Sequence, residues 1–242
     1  MPTTAELFRA LHHSGTPLVL PNAWDPVSAR IIAAAGYPAV ATSSGAVARV
    51  LGYDDGQLTP PAEMFTAVAR IVRAADVPVT ADMEAGYGLP AKEFVGKLLE
   101  AGAVGCNLED SVDGRLTDPA EQADYLAEVR AAAGADLVIN ARIDTFIRPS
   151  AGGADTGTVA DAVRRGREYR RAGADCTYPI MAPVEVLPEL VSGIGGPLNA
   201  HAAPGGPTAA ELTAAGATRI SYGTSLHHHL MESLRELLAT LA

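Results

Sequence analysis

The chain has 242 residues, of which 48% are apolar, and its formal net charge is -10 at pH 7. An acidic chain without a row of basic side chains to neutralise phosphates is not expected to bind nucleic acid. Its longest basic cluster, residues 164–171, is typical of a solvated helix face. No apolar run approaches the ~20 residues of a membrane span, and no secretory signal pattern is visible. These observations predict a cytoplasmic protein without a membrane partner.

One pattern repeats along the chain: an Ala-rich stretch stops at a glycine, and a short apolar segment follows. The glycines are Gly36, Gly102, Gly173 and Gly216. A glycine at that place takes the left-handed conformation that ends a helix. With four further apolar segments, the pattern predicts strands at residues 17–21, 39–42, 77–82, 104–109, 137–141, 175–180, 197–199 and 218–221.

Strands that alternate with helix-length stretches pair in parallel. Eight such units in ~250 residues predict an α/β fold, a (β/α)8 TIM barrel that occupies residues 1–242 as a single domain. An open doubly wound sheet is the alternative, but no G-x-G-x-x-G motif follows the first strand. Residues 152–157 (GGADTG) are predicted to be an ordinary loop between a strand and a helix.

In such a barrel, the carboxyl ends of the strands form the active face. Polar residues follow the predicted strands at this face, and the acids among them cluster on the third and fourth strands. The residues are Ser43, Ser44, Gly45, Asp82, Glu84, Asn107, Glu109, Asp110, Asn140, Arg142, Asp144, Asn199 and His201.

Asp82 and Glu84 are two positions apart at the end of the third strand, so both side chains project to the same side. Two converging anionic groups need a cation or a proton between them. Oxygen ligands at a strand end suit a hard ion such as Mg²⁺. The alternative is that these acids cap the next helix or lie in solvent.

Six segments together resemble the isocitrate lyase and phosphoenolpyruvate mutase superfamily, over about residues 17–226. They are PNAWD at 21–25, ATSSG at 41–45, LGYDD at 51–55, ADMEAGYG at 81–88, NLED at 107–110 and NARIDTF at 140–146. The resemblance implies a barrel that uses Mg²⁺, or Mn²⁺ in its place, to hold a small 2-oxo acid, enolpyruvate or phosphonate. It also implies a homodimer or homotetramer, in which the C-terminal helices can be exchanged between subunits.

On the matching positions, the resemblance implies that Asp82 ligates the metal directly and that Glu84 and Glu109 hold metal-bound waters. Asp55 is implied as a further acid of that shell. Arg142 matches the arginine that pairs with the charged oxygens of the substrate.

Ser43, Ser44 and Gly45 match the loop that holds the carboxylate or phosphonate end of the substrate. At the end of the seventh strand, Asn199 is predicted to contact the substrate and His201 to be a catalytic residue. His201 is one candidate proton donor, beside Tyr87 and Asp113; the alternative for His201 is a loop histidine bonded to a backbone group.

The chain departs from the family in the segment after the fourth strand. The lyases carry a K-K-C-G-H loop there, whereas residues 111–119 (SVDGRLTDP) contain no Cys, Lys or His. The longer gating loop of the mutase is also missing. Isocitrate lyase, methylisocitrate lyase and authentic phosphomutase activities are therefore disfavoured.

The residues leave three functions open. The first is a Mg²⁺-dependent lyase or hydrolase that cleaves a C–C or C–P bond in a small 2-oxo acid. The second is a non-catalytic or regulatory barrel that binds a dicarboxylate or phosphonate. The third is an activity on a phosphoryl-carrying substrate held at residues 223–225, which otherwise cap the final helix. Phosphoenolpyruvate phosphonomutase activity is a further alternative. A Schiff-base mechanism is excluded, because Lys92 and Lys97 both lie in a predicted helix.

Overall fold

The computed structural model describes residues 3–148 and 156–241, with the side chains of all these residues except 156 and 157. All eight predicted strands are confirmed in position. The barrel strands are Leu18–Leu20 continued by Asn22–Ala23, Val40–Thr42, Val79–Asp82, Gly105–Glu109, Val138–Ile143, Cys176–Pro179, Asn199–His201 and Arg219–Ser221. Of the loop predicted at residues 152–157, residues 152–155 lie outside the described residues.

Helices alternate with these strands and surround them. They are Thr4–Leu11, Pro26–Ala34, Ser44–Leu51, Pro61–Ala74, Ala91–Glu100, Pro119–Ala133, Thr156–Arg171, Leu187–Ile194 after the 3-10 turn Val184–Val186, Ala209–Ala214 and Ser225–Ala239. Both lysines lie on Ala91–Glu100, as predicted. The alternation of parallel strands and helices confirms the (β/α)8 fold.

The first strand closes the barrel because it pairs on both sides of Pro21. Its first part pairs in parallel with the eighth strand, and its second part with the second strand. Proline has no N–H to continue the ladder, but the Pro21 carbonyl still accepts the Ala41 N–H at 3.2 Å. Between the sixth and seventh strands the link is a parallel bridge from Thr177 to Leu198. Pairing therefore runs round all eight strands.

The helix Thr4–Leu11 covers the amino end of the barrel. Phe8 is fully buried and packs with apolar side chains of the strands, including Leu20 and Val138. Burial of such a ring stabilises the fold by roughly 1.5–3 kcal/mol. Arg9 of the same helix donates to the carbonyls of Ala135 and Leu137 at 2.9 and 2.8 Å.

Asp175, just before the sixth strand, joins this helix to the barrel. Its carboxylate pairs with Arg9 at 2.9 Å, pairs with Arg130, and accepts the Ile139 N–H at 2.8 Å. Its side chain is only 16% exposed, so these bonds are weakly screened.

The last helix, Ser225–Ala239, includes residues 227–229, as predicted. Its start contacts the barrel, where His227 packs edge-on against Trp24 with ring centroids 5.1 Å apart. Further along, Leu234 and Leu237 are 46% and 57% exposed. Among the described residues, no helix has the length and apolar character needed to cross a bilayer.

We predict that Asp175→Ala lowers the free energy of unfolding by about 3 kcal/mol, because two arginines and one backbone N–H lose a shared acceptor. Urea denaturation followed by circular dichroism measures this change. The control is Glu232→Ala, which removes an exposed pair with Arg235 and is expected to leave the transition unchanged. Equal stability of Asp175→Ala and the wild type would contradict the role assigned to this carboxylate.

Candidate active site

The predicted acids meet at the carboxyl end of the barrel because of strand register. Asp82 pairs with Asn107 on the neighbouring strand, and Glu109 stands directly opposite Arg142. Asp82 and Glu84 are 8% and 3% exposed, so both carboxylates have little contact with water. The structure places these acids together at one mouth of the barrel.

Asp82 is held by hydrogen bonds to the second strand and to the start of the helix that follows it. Its Oδ2 accepts the Ser44 N–H at 3.1 Å and the Ser44 hydroxyl at 2.9 Å. The Thr42 hydroxyl accepts the Asp82 N–H at 2.9 Å. Oδ1 faces the Asn107 amide at 3.4 Å, a long contact. Asp82 is thus fixed in place, with Oδ1 less strongly engaged than Oδ2.

Ser43, Ser44 and Gly45 form the start of the helix Ser44–Leu51, where backbone N–H groups and the helix dipole favour anions. The Ser43 hydroxyl lies 3.0 Å from that of Thr224, from the loop after the eighth strand. A Cβ atom on Gly45 would lie 2.5 Å from Oδ2 of Asp55. Glycine at position 45 therefore lets Asp55, on the exposed rim, approach the pocket.

Glu84 uses both carboxylate oxygens in hydrogen bonds within the protein. Oε1 accepts the Tyr87 hydroxyl at 2.7 Å, and Oε2 accepts the Gln57 N–H at 2.5 Å. Burial raises the pKa of Glu84 to about 7, with a further contribution from Asp55 and Asp82. Loss of hydration and the Asp82 charge likewise raise the pKa of Asp55.

Arg142 lies between two acids. Its Nη1 is 2.6 Å from Glu109, and its Nε and Nη2 donate to Asp144 at 2.7 and 3.1 Å. These bonds use three of the five N–H donors of a guanidinium, which leaves two for a substrate. Burial opposes the charge of Arg142, but the two acids outweigh it and raise its pKa above the usual range. Burial also raises the pKa of Glu109 well above its usual range, although Arg142 opposes that shift.

Asp110 is part of the support below the pocket. Its fully buried carboxylate accepts the Asp144 N–H at 2.8 Å, the Tyr169 hydroxyl at 2.7 Å and an N–H of Arg165 at 3.0 Å. Arg165 also donates to the Thr117 carbonyl at 3.0 Å. These bonds fix Asp144, which in turn orients Arg142.

The segment after the fourth strand forms a tight hairpin. Its strands are Ser111–Val112 and Arg115–Leu116, and Asp113 and Gly114 turn with φ of 50° and 75°. Two consecutive residues with positive φ are typical of a type I′ hairpin turn. Asp113 lies exposed at this turn, and no structural feature assigns it a proton-donor role.

His201 lies at the opposite side of the mouth, and it bonds side-chain hydroxyls rather than the backbone group considered above. Nδ1 is 3.2 Å from the Tyr178 hydroxyl, and Nε2 is 3.3 Å from that of Ser225. Burial, with a smaller contribution from Arg142, lowers the pKa of His201, which favours the uncharged form of the ring. Asn199 is fully buried and donates to Ser221 at 3.0 Å, which makes it part of the pocket's support rather than a surface that a substrate contacts.

Sequence reasoning missed Arg219, Gln57 and Tyr178. Arg219 is fully buried inside the barrel, and its Nη2 donates to Asn107 at 3.3 Å. Asn140 donates to the same Asn107 oxygen at 2.8 Å, so the Asn107 amide is oriented with its NH₂ toward Asp82. The sequence could have indicated Arg219, because an arginine within a short buried strand is unusual. No sequence pattern distinguishes Gln57 from its neighbours.

The donor set fits a hard divalent cation. The carboxylates are crowded and partly dehydrated, and they outnumber the one arginine beside them. The atoms that they offer to a metal ion are all oxygens. Among the described residues, no group of three His, Cys, Asp or Glu side chains is placed to hold an ion directly. This arrangement is compatible with an ion that keeps several waters, as Mg²⁺ does in proteins.

An eight-stranded barrel with this acidic mouth is the architecture of the isocitrate lyase and phosphoenolpyruvate mutase superfamily. Its members are lyases and mutases that cleave C–C or C–P bonds and generally depend on a divalent metal. The family model for phosphoenolpyruvate phosphomutase matches residues 8–242, and the chain belongs to this family. The resemblance drawn from the six sequence segments is thereby confirmed.

Three proteins illustrate the relationship. An uncharacterized protein of Mycobacterium tuberculosis (strain H37Rv) is 33% identical over 219 residues, with 90% of this chain and 81% of that protein covered. An oxaloacetate decarboxylase of Pseudomonas savastanoi pv. phaseolicola is 32% identical over 205 residues, with coverage of 79% and 68%. The crystal structure of a candidate phosphonomutase from Burkholderia cenocepacia J2315 has a TM-score of 0.91 at 39% identity, with coverage of 98% and 99%.

Some relatives are considerably longer than this chain. The match to a 2-methylisocitrate lyase of Corynebacterium glutamicum covers 53% of that lyase.

Proposed function

We propose that the protein is a Mg²⁺-dependent lyase that cleaves a C–C bond beside the carbonyl of a small 2-oxo acid. The observation that carries the proposal is the set of carboxylates of Asp55, Asp82, Glu84 and Glu109 around one mouth, with Arg142 beside them. Plain carboxylate binding does not need so many acids. Mg²⁺, or Mn²⁺ in its place, would supply Lewis-acid polarisation of the substrate carbonyl when bound.

The residues of the chain have separate tasks in this proposal. Asp82, fixed by Ser44 and Asn107, is the acid that would ligate the ion, and Glu109 would hold its waters. Arg142 has two free donors in a rigid planar fork, which suits bidentate pairing with the substrate carboxylate. The N–H groups and hydroxyls of residues 43–45 are the proposed site for the other end of the substrate.

The composition of the hairpin after the fourth strand favours decarboxylation over retro-aldol cleavage. Both cleavages leave an enolate that must gain a proton, which solvent can supply. A retro-aldol cleavage also requires a base to remove the proton of the substrate hydroxyl, whereas loss of CO₂ requires no such base. The hairpin contains no Cys, Lys or His that could serve as this base, and both ring nitrogens of His201 are bonded to the hydroxyls of Tyr178 and Ser225. Decarboxylation of a 3-carboxy-2-oxo acid such as oxaloacetate, the substrate class named for one relative, is therefore the first reaction to test.

The test is a panel of oxaloacetate, phosphonopyruvate, 2-methylisocitrate and isocitrate, each with Mg²⁺ and with EDTA, assayed for pyruvate and glyoxylate. We expect Mg²⁺-dependent pyruvate release from oxaloacetate. Asp82→Asn keeps the side-chain shape and removes its charge, and should lower kcat/KM at least ~1,000-fold, because the lost stabilisation is several kcal/mol. The variant also serves as the blank for decarboxylation by free Mg²⁺.

Pyruvate from phosphonopyruvate alone would replace the C–C assignment with C–P cleavage. Mg²⁺-dependent binding of oxalate without turnover of any panel acid would favour the non-catalytic barrel instead. Full turnover by Asp82→Asn would contradict the metal site itself.

The stabilising effect of Mg²⁺ should depend on pH, because protons and the ion compete for the same carboxylates. The pKa of Glu84 in the folded protein, about 7, lies above the ~4.3 of an unfolded chain. Ionised Glu84 therefore costs stability in the metal-free protein, and this cost grows as the pH rises from about 4.3 through 7. Mg²⁺ favours the ionised carboxylates, so its stabilising effect should be larger at high pH.

At 100 times its dissociation constant, Mg²⁺ should raise Tm by about 5–10 °C at pH 8 and by much less at pH 5.5, as measured by differential scanning fluorimetry. Asp82→Asn should show a small response at both pH values. An equal rise in Tm at pH 5.5 and pH 8 in the wild type would contradict the proposed ion site.

We also infer assembly into a homodimer or homotetramer through the last helix, with exchange of this helix between subunits as one arrangement. Leu230, Leu234 and Leu237 of this helix are 46–57% exposed and recur at spacings of four and three residues, the spacing of a helix-packing stripe. An apolar groove lined by Trp24, Ile31 and Leu226 adjoins it. Leu230 also lines this groove, so the groove and the stripe form one exposed apolar surface, a feature typical of subunit contacts.

We predict that Leu234→Lys with Leu237→Lys shifts the mass measured by light scattering from that of an oligomer to that of a monomer of 24.9 kDa. Leu7→Lys changes a leucine that is 52% exposed on another helix, and should leave the mass unchanged. A monomeric wild-type protein would contradict the inferred assembly.

A further inference from the structure

Three residues beside the acids share an unusual backbone conformation. Among the described residues, five other than glycine have positive φ, and three of these are Gln57 at 64°, Glu84 at 49° and Tyr87 at 57°. Such conformations are unfavourable for side chains of this kind and persist where surrounding contacts enforce them. Here the three residues enforce one another.

The contacts form a closed ring. Glu84 accepts the Gln57 N–H through Oε2 and the Tyr87 hydroxyl through Oε1, at 2.5 and 2.7 Å. The Tyr87 N–H donates to Oε1 of Gln57 at 2.8 Å. Each residue therefore contacts both others, and two backbone N–H groups and one hydroxyl are satisfied inside the ring.

The ring joins two loops that are far apart in sequence. One follows the helix Ser44–Leu51 and carries Asp55 two residues before Gln57; the other follows the third strand and carries Glu84. Asp55 contacts the Ser44 hydroxyl at 3.5 Å, which is long for a hydrogen bond. The position of Asp55 over Gly45 therefore depends on how its loop is held.

We propose that Gln57, Glu84 and Tyr87 form a latch that holds the Asp55 loop over the pocket, with Tyr87 and Gln57 as positioning residues for Asp55. The claim that Asp55 then serves a Mg²⁺ site rests on the proposed function; the latch itself does not. Each Glu84 oxygen accepts one bond in the latch and keeps a second lone pair, so Glu84 fixes this loop in addition to the role in the metal shell that the resemblance implies.

The first test uses Tyr87→Phe, which keeps the aromatic side chain and removes the hydroxyl that donates to Glu84. Hydrogen–deuterium exchange of residues 53–60, in protein without added metal, should be at least fivefold faster than in the wild type. The matched control is Tyr53→Phe, which removes a tyrosine–glutamate bond of the same kind at the start of the same loop, from Tyr53 to Glu63 at 2.8 Å. The control should leave exchange of residues 54–60 unchanged.

The second test separates positioning from general destabilisation. In the substrate assay, Tyr87→Phe and Gln57→Ala should each raise the Mg²⁺ concentration for half-maximal rate about tenfold, with kcat at saturating Mg²⁺ within threefold of the wild type. If these residues only stabilised the fold, the variants would have a lower Tm, but the Mg²⁺ concentration for half-maximal rate would not rise. Gln57→Ala removes the oxygen that accepts the Tyr87 N–H and keeps the backbone N–H that donates to Glu84. It therefore tests the latch independently if Tyr87→Phe does not fold.

Unchanged exchange in both Tyr87→Phe and Gln57→Ala would overturn the latch, as would equal acceleration in Tyr53→Phe. The exchange measurement needs neither substrate nor metal. Faster exchange in a protein inactive on the whole panel would therefore contradict the proposed function and support the latch, whereas turnover with unchanged exchange would contradict the latch alone.

Discussion

The site depends on holding several carboxylates close together where little water can screen them. Burial, together with the like charges of neighbouring acids, raises the pKa values of Glu84 and Asp55. Arg142 compensates part of the charge, but Glu109 and Asp144 already pair with it. The mouth therefore keeps an excess of negative charge, which is the condition that favours a divalent cation over an empty pocket.

Buried polar groups below the mouth keep these acids in position. Asp110 fixes Asp144 from one side, with Arg165 and Tyr169 as its other partners. From inside the barrel, Arg219 and Asn140 orient Asn107 toward Asp82. A buried charge is costly unless it is bonded, so the alternative positions of these side chains are disfavoured. The rigidity of the site follows from this second set of bonds.

The hairpin after the fourth strand gives this member of the family its own character. Its two-residue turn and its anchorage, in which the Thr117 N–H donates to the Asp110 carbonyl at 2.9 Å, make it a fixed wall. It contains no Cys, Lys or His to act as the base of a retro-aldol cleavage, which is in keeping with the decarboxylation proposed above. The loops that carry Gln57 and Glu84 are fixed by their own contacts instead, on the other side of Asp82.

The sequence by itself determined the eight strands, their order and the face on which the acids meet. Apolar runs, helix-ending glycines such as Gly102, and the spacing of Asp82 and Glu84 are local signals, and parallel pairing follows from their alternation. The six family segments added the roles implied for Asp82 and Arg142. Only the tertiary structure decided that Pro21 divides the strand that closes the barrel, that Glu84 uses both its oxygens on Gln57 and Tyr87, and that Arg219 supports Asn107. The physical reason is that periodicity fixes the side to which a residue points, whereas the partner it meets depends on loop paths and register set by contacts distant in sequence.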